Sequence, residues 1–253
     1  MDSQDLTDEQ WVRIEPFVRG GRKGKRGPRS DNRRFINALI WMARSGGRWR
    51  DLPEHYGNYH TVKKRYYRWV EAGVLDALFE ALAAEADMDW ISVDSTSIRA
   101  QSQAAGARRK KGGPAAQGLG RSRGGLGTKI HAAVDALGLP LRLVLGPGHR
   151  GDVIYGAELL DGLKPRHVIA DLAYDAEHFH DAILDLGAEP VIPPRPQRRR
   201  KHDWDRAMYK ERNLVERFFG KLKQFRRVAT RYDKLLCNFR GFVLIAAIVI
   251  WLK

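Results

Sequence analysis

The chain has 253 residues, 43% of them hydrophobic, enough to bury a core as one large domain or as a main domain with a small appendage. Lys and Arg number 45 against 30 Asp and Glu, a net charge of +15 that attracts polyanions, nucleic acid foremost among them. A single cysteine, Cys237, excludes an internal disulfide and a cysteine zinc cluster and fits a reducing cytoplasm. A ribosomal protein or a cationic membrane binder would carry a similar charge, so the balance narrows the partner and not the activity.

The chain opens on Met1-Asp2-Ser3-Gln4-Asp5, acidic and without an apolar signal core. Residues 1–85 are predicted to be helical. Thr7-Asp8-Glu9-Gln10 fits a capping box, with Leu6 and Trp11 placed for a hydrophobic staple. Gly20 to Arg29 is too polar and glycine-rich to pack and reads as a loop or an arm. A second helix is predicted from Ser30 or Asp31 to Ser45-Gly46-Gly47, with Phe35, Leu39 and Met42 on one face. A third begins near Thr61, with Val62, Tyr66, Trp69 and Val70 inward and Lys63, Lys64, Tyr67 and Arg68 outward. Three short helices with a basic last one resemble a helix-turn-helix unit in which Lys63, Lys64 and Arg68 face DNA. The alternative is a plain helical bundle with a basic solvated face.

The texture changes at Asp89. Trp90 to Thr96 is short, apolar and β-branched, as a strand requires. Residues 101–127 hold almost nothing to bury and read as a basic loop that includes Arg108, Arg109, Lys110 and Lys111. A hairpin follows, Thr128–Val134 and Leu139–Leu145, turned at Asp135-Ala136-Leu137-Gly138, where Asp135 is a turn residue. The pattern then predicts a helix over Ala157–Leu163, a strand His167–Asp171, a helix Ala176–Leu186 and a strand Glu189–Ile192. A second basic loop, Arg195 to Lys201, carries Arg198, Arg199 and Arg200. Both basic loops read as DNA clamps or as solvated tails. A long amphipathic helix is expected from Arg206 to Arg226. The 11-residue apolar run Phe242–Leu252 falls short of the roughly 20 that span a bilayer and reads as a buried helix or strand closing the core.

Three strands followed by helix, strand, helix, strand, helix is the order of a ribonuclease H-like α/β fold. The helix-turn-helix-like stretch 1–85 then reads as a DNA-binding domain and 86–253 as the α/β domain. In this order Asp94 lies on the first strand, with Ile91 and Val93 on its opposite face, and Asp171 ends the fourth. Two carboxylates in apolar strand segments need a cation, and no Lys or Arg shares those segments. A hard divalent metal ion such as magnesium is the simplest answer. Asp175 rivals Asp171, but Asp171 ends the apolar run. His131, on a strand beside the hairpin, reads as structural. On the predicted long helix Tyr209, Arg212 and Lys223 fall within about 40° of Glu216, opposite the apolar residues Val215, Phe218 and Leu222. That stripe is either a functional face or a solvated one with an Arg212–Glu216 pair.

Tyr209-x2-Arg212-x3-Glu216-x6-Lys223 resembles the Y-x2-R-x3-E-x6-K signature of DDE transposases from bacterial insertion sequences. Val93-Asp94-Ser95-Thr96 and Ala170-Asp171-x-x-Tyr174-Asp175 resemble the segments carrying that family's first two acids. Thr128-Lys129-Ile130-His131 and Gly151-Asp152 are similar in kind, and Trp49-Arg50-Asp51-Leu52-Pro53 resembles the leader of the insertion-sequence-five group. Tyr59 departs from the tryptophan expected there. The resemblance implies two magnesium or manganese ions held by Asp94, Asp171 and Glu216, with Asp94 bridging both. It implies Tyr209, Arg212 and Lys223 on DNA near the scissile phosphate, hydrolysis at the element's terminal repeats, and joining of the 3′-hydroxyl to target DNA. A homodimer pairing two ends in the cytoplasm, on the nucleoid, would be the working form. A ribonuclease H-like nuclease or resolvase, and a non-catalytic DNA-binding regulator, are the other readings.

Overall fold

The computed structural model describes residues 5–18, 31–105, 115–122, 124–198 and 202–253. The run Gly20–Arg29 and the cations Arg108, Arg109, Lys110, Lys111, Arg199 and Arg200 lie outside the described residues.

Local chemistry sets the N-terminal helices. Helix α1 (Asp8–Ile14) opens on the expected capping box, Thr7 Oγ1 accepting from Gln10 N–H at 3.2 Å and Gln10 Oε1 from Thr7 N–H at 3.1 Å. Helix α2 (Asn32–Ser45) starts on the Asp31 side chain and stops at Gly46, whose φ of 66° suits a residue without Cβ. Helix α3 (Tyr59–Glu71) starts two residues before Thr61 because Asn58 caps it. It buries Val62, Tyr66 and Trp69 and leaves Lys64 and Arg68 exposed, with Lys63 and Tyr67 half-buried. A fourth helix, α4 (Val74–Ala83), follows Gly73 and was not separately visible in the pattern.

Seven strands form one sheet: β1 (Trp90–Ala100), β2 (Gly120–Ser122), β3 (Gly125–Val134), β4 (Pro140–Pro147), β5 (His167–Ala170), β6 (Glu189–Val191) and β7 (Thr230–Arg231). The order β4-β3-β1-β5-β6, with β1, β3 and β4 antiparallel and β5 and β6 parallel to β1, is the ribonuclease H-like arrangement. One edge of β1 pairs with β3 from Ser92 to Arg99. Its other edge pairs with β5 up to Val93 and with β7 from Arg99. Between them residues 94–98 have no strand on that edge among the described residues, and Asp94 stands at the start of the gap.

Helices α5 (Gly156–Leu160) and α6 (Glu177–Asp185) cover one face of the sheet, packing Leu159, Phe179 and Ile183 against Ile91, Val93 and Val168. Helices α7 (Asn213–Lys223), α8 (Arg226–Ala229) and α9 (Leu236–Trp251) lie on the other face. Every residue of α9 from Gly241 to Trp251 is buried, so the apolar run is a core helix. No described helix is long and apolar enough to cross a membrane. The N-terminal helices share this core: Leu39, Tyr66 and Leu78 belong to one apolar cluster with Phe218, Leu222, Phe242 and Ile245.

Two expectations are corrected. The segment 206–226 is not one helix. A 3-10 turn (Met208–Arg212), seated on Asp205, runs into α7, and extended Phe225 separates α7 from α8. That break sends Arg227 inward, to Gly47 O at 2.9 Å and Asp233 at 3.2 Å. The stretch 101–127 is not all loop either. Buried Arg231 reaches Gly118 O and Thr128 Oγ1, which holds a 3-10 turn (Ala115–Gln117) and the short β2 against β3. Burial pushes the Arg231 guanidinium down to about 10.

Candidate active site

Strand alternation divides β1 into two faces. Ile91 and Val93 go to the α5–α6 layer, while Asp94 shares its side with Ile98, toward α7. The Asp94 side chain keeps 18% exposure. Its Oδ1 accepts from Ser95 N–H at 2.7 Å, and its Oδ2 lies 3.0 Å from Arg212 Nη1. Burial pushes this carboxyl up and the nearby Asp171 and Asp152 add to the rise; Ser95 N–H and Arg212 offset part of it, leaving about 6.

Asp171 sits one residue past β5, where the strand gives way to a 3-10 turn (Leu172–Tyr174). Its Oδ1 caps that turn by accepting from Ala173 N–H at 2.8 Å. The end of β5 brings it beside the gap in β1. Glu216, in the first turn of α7, is exposed and accepts from Arg212 Nη2. Tyr209 stands over Arg212, with the guanidinium 5.8 Å from its ring centroid, and Trp204 closes its far edge at 4.8 Å. Burial raises the Tyr209 hydroxyl, and Asp171, Asp94 and Glu216 all act on it in the same sense against Arg212. The structure thus brings Asp94, Asp171, Glu216, Tyr209 and Arg212 into one electrostatic neighbourhood. Lys223 ends α7, two turns beyond Glu216 and exposed.

Other residues singled out by the sequence fall elsewhere. Asp175 is buried and bonded by Arg195 N–H at 2.7 Å, by His180 at 3.0 Å and by Arg198. Burial raises its carboxyl, but these three partners together hold it below its ordinary value. Arg198 also meets Glu177 at 2.8 Å, so it is committed to the fold. Among the described residues, Asp175, His180 and His202 have ligand atoms within 4.8 Å of one another, and the carboxylate already accepts from Arg195, His180 and Arg198. Asp135 is a turn residue as expected, accepting from Leu137 N–H at 3.0 Å and Leu139 N–H at 2.7 Å. His131 is fully buried against the Tyr155 ring at 4.2 Å, and burial pushes it down to about 4, so it stays neutral. Lys63, Lys64 and Arg68 lie on α3, on the N-terminal side of the molecule.

Sequence reasoning gave no role to Asp152, which receives Ser95 Oγ at 2.6 Å and Lys129 Nζ at 2.9 Å, or to Tyr174, whose buried hydroxyl has no partner. A signal was available in the spacing: Lys129 and His131, two apart on β3, must share a face.

A divalent cation fits this neighbourhood. Three carboxylates converge with one Arg as counter-charge, Asp94 is half-starved of solvent, and the donors are hard oxygens suited to magnesium or manganese.

Residues 85–252 match the family model described as "Transposase DDE domain", and residues 6–79 match "Putative transposase of IS4/5 family (DUF4096)". A Brucella ovis protein described as "Putative transposase for insertion sequence element IS6501" is 49% identical over 50% of this chain and 98% of its own length. "Uncharacterized protein y4sN" of Sinorhizobium fredii is 64% identical over 45% of this chain and 90% of its own. A piggyBac transposase solved as a synaptic complex with hairpin DNA aligns with TM-score 0.40 and 12% identity over 78% of this chain and 52% of that one. With two thirds of its length matched by the DDE domain, the chain belongs to the DDE transposases of bacterial insertion sequences, a family whose chemistry uses divalent metal ions.

Proposed function

We propose that the protein binds the terminal inverted repeats of its element, cleaves DNA at the element's ends and joins the freed 3′-hydroxyl to target DNA, working as a homodimer. The observation that carries this reading is the convergence of Asp94, Asp171 and Glu216 around Arg212 and Tyr209, at the gap between β5 and β7. Asp94, Asp171 and Glu216 would hold two magnesium or manganese ions. When bound, these ions supply charge neutralisation at the scissile phosphate and a deprotonated oxygen nucleophile.

The chain's own groups do the rest. Arg212, tied to Asp94 and Glu216 in the free protein, is released to a phosphate oxygen once those carboxylates have other cationic partners. Tyr209, kept protonated by burial and by the carboxylates, donates its hydroxyl to the DNA backbone. Lys223, along the same helix, adds a phosphate contact, and Lys63, Lys64 and Arg68 on α3 hold flanking duplex. Such contacts make binding fall steeply with salt.

The test is cleavage and strand transfer on oligonucleotides bearing the terminal repeats, in Mg²⁺ or Mn²⁺, with Asp94→Asn, Asp171→Asn and Glu216→Gln beside the wild type. Each variant should bind the repeats and lose both reactions. Variants that cut like the wild type would sink the triad; cleavage without joining would mark a nuclease or resolvase.

A further inference from the structure

Behind Asp94, on the opposite face of the sheet, lies a second polar cluster. Ser95 points into the α5–α6 layer, and its Oγ donates to Asp152 Oδ1 at 2.6 Å. Asp152 opens the 3-10 turn (Asp152–Tyr155) that leads into α5. Lys129 Nζ donates to the same oxygen at 2.9 Å and to Arg150 O at 3.0 Å, supplying the counter-charge. His131, Nδ1 3.7 Å from Asp152, is fully buried and neither ring nitrogen has a partner. The Tyr174 hydroxyl, equally buried, is unpartnered too. These groups form a polar floor under the site instead of a packed apolar one.

The floor meets the site through one residue. Ser95 is held by its side chain to Asp152, and its own N–H holds Asp94 Oδ1 at 2.7 Å. Among the described residues, β3 is the one strand paired with β1 at this point, because β5 stops at Val93's level and β7 begins at Arg99's. A strand paired on one edge only has freedom to twist, and the anchor at Ser95 removes it.

We propose that Asp152 is the positioning residue of Asp94: by gripping Ser95 it fixes the N–H that occupies Asp94 Oδ1 and turns Oδ2 into the cleft as a ready metal ligand. This rests on the proposed two-metal reading and adds a residue to it. Outer partners of metal-binding carboxylates typically contribute about 10- to 100-fold in metal affinity. Because Asp152 and Ser95 act in series, removing both should cost no more than removing one.

The experiment uses the full chain as wild type, Asp152→Asn, Ser95→Ala, the double variant and Asp94→Asn. Free Mn²⁺ is titrated by its electron paramagnetic resonance signal without DNA, and cleavage of repeat oligonucleotides is followed across Mn²⁺ concentration. Asp152→Asn and Ser95→Ala should each weaken Mn²⁺ binding about tenfold, the double variant no further, with terminal-repeat binding unchanged and cleavage recovered at high Mn²⁺. Wild-type Mn²⁺ affinity in both single variants overturns the proposal. So does an additive loss in the double variant, or a loss of activity and melting temperature that Mn²⁺ does not rescue. If Asp94→Asn itself binds Mn²⁺ like the wild type, the metal assignment has failed first, and the positioning role falls with it.

Discussion

Arg212 Nη1 lies 3.0 Å from Asp94 Oδ2 while Nη2 of the same guanidinium bonds Glu216, tying β1 to the start of α7 across 118 residues of sequence. One cation thus stands between two carboxylates that are read as metal ligands. Arg212→Ala should cost the metal-free protein about 1.5–3 kcal/mol, the range for a hydrogen bond to a charged group. Added Mn²⁺ should return most of that, because it gives Asp94 another cationic partner. Urea unfolding in EDTA and in Mn²⁺ measures both; an equal loss in the two buffers would show that Arg212 and metal do not exchange.

The Asp94 carboxyl titrates at about 6, above its ordinary 3.8. Between these values the folded protein binds more protons than the unfolded chain, so its stability falls as pH rises through the window. Asp94→Asn removes that titration. In EDTA, the wild type should match the variant near pH 4 and fall progressively below it toward pH 7. A gap that stays constant with pH would refute the assignment. Metal reverses the sign: it binds the deprotonated carboxylate, so Mn²⁺-dependent cleavage should decline as pH is lowered through 6.

Asp175 and Asp171 lie four residues apart and should separate cleanly. Asp175→Ala takes from Arg198 its buried carboxylate partner and leaves His180 without its acceptor, and breaking a buried pair of this kind costs about 3–5 kcal/mol. Asp171→Asn should keep near wild-type stability and lose cleavage. Chemical denaturation paired with oligonucleotide cleavage, both at low temperature, decides it. A stable but inactive Asp175→Ala would move that residue into the site.

Gly241 on α9 faces α3 so closely that a Cβ would fall 2.5 Å from Tyr66 Oη and 2.8 Å from Val70 Cγ2. Gly241→Ala should therefore destabilise by about 1–3 kcal/mol, the usual range for overpacking. Combining it with Tyr66→Phe, which removes the obstructing oxygen, should cost less than the sum of the two single changes. Additive losses in thermal unfolding would mean that the two helices do not press on each other there.

What the sequence disclosed follows the reach of its interactions. The Thr7 capping box, the stop at Gly46, the inward face of α3 and the alternation that turns Asp94 away from Val93 are all settled within a few residues. The choice of Asp171 over Asp175 followed from where an apolar run ends, and in the structure Asp175 is tied to Arg195, His180 and Arg198. The helix break at Phe225 and the ordering of residues 115–122 were illegible because distant partners set them. Arg227 reaches back to Gly47, and Arg231 to Gly118. Asp152 was noted only within the family-like segment Gly151-Asp152, and its tie was hidden for the same reason: its partner Ser95 lies 57 residues earlier, on β1. Tyr209 and Arg212 met Glu216 even though their segment is a 3-10 turn, since three and four residues bring side chains together in either helix.

Helix α9 follows the sheet in the chain, yet it seals the apolar faces of helices that come before the sheet. Most proteins of several parts can settle their leading segment while the ribosome is still at work. Here the apolar faces of α2, α3 and α4 gain their cover only when α9 is in place. Loss of α9 would leave those helices uncovered, as prey for chaperones and proteases. Docking of α9 is therefore the step that welds the leading helices to the sheet.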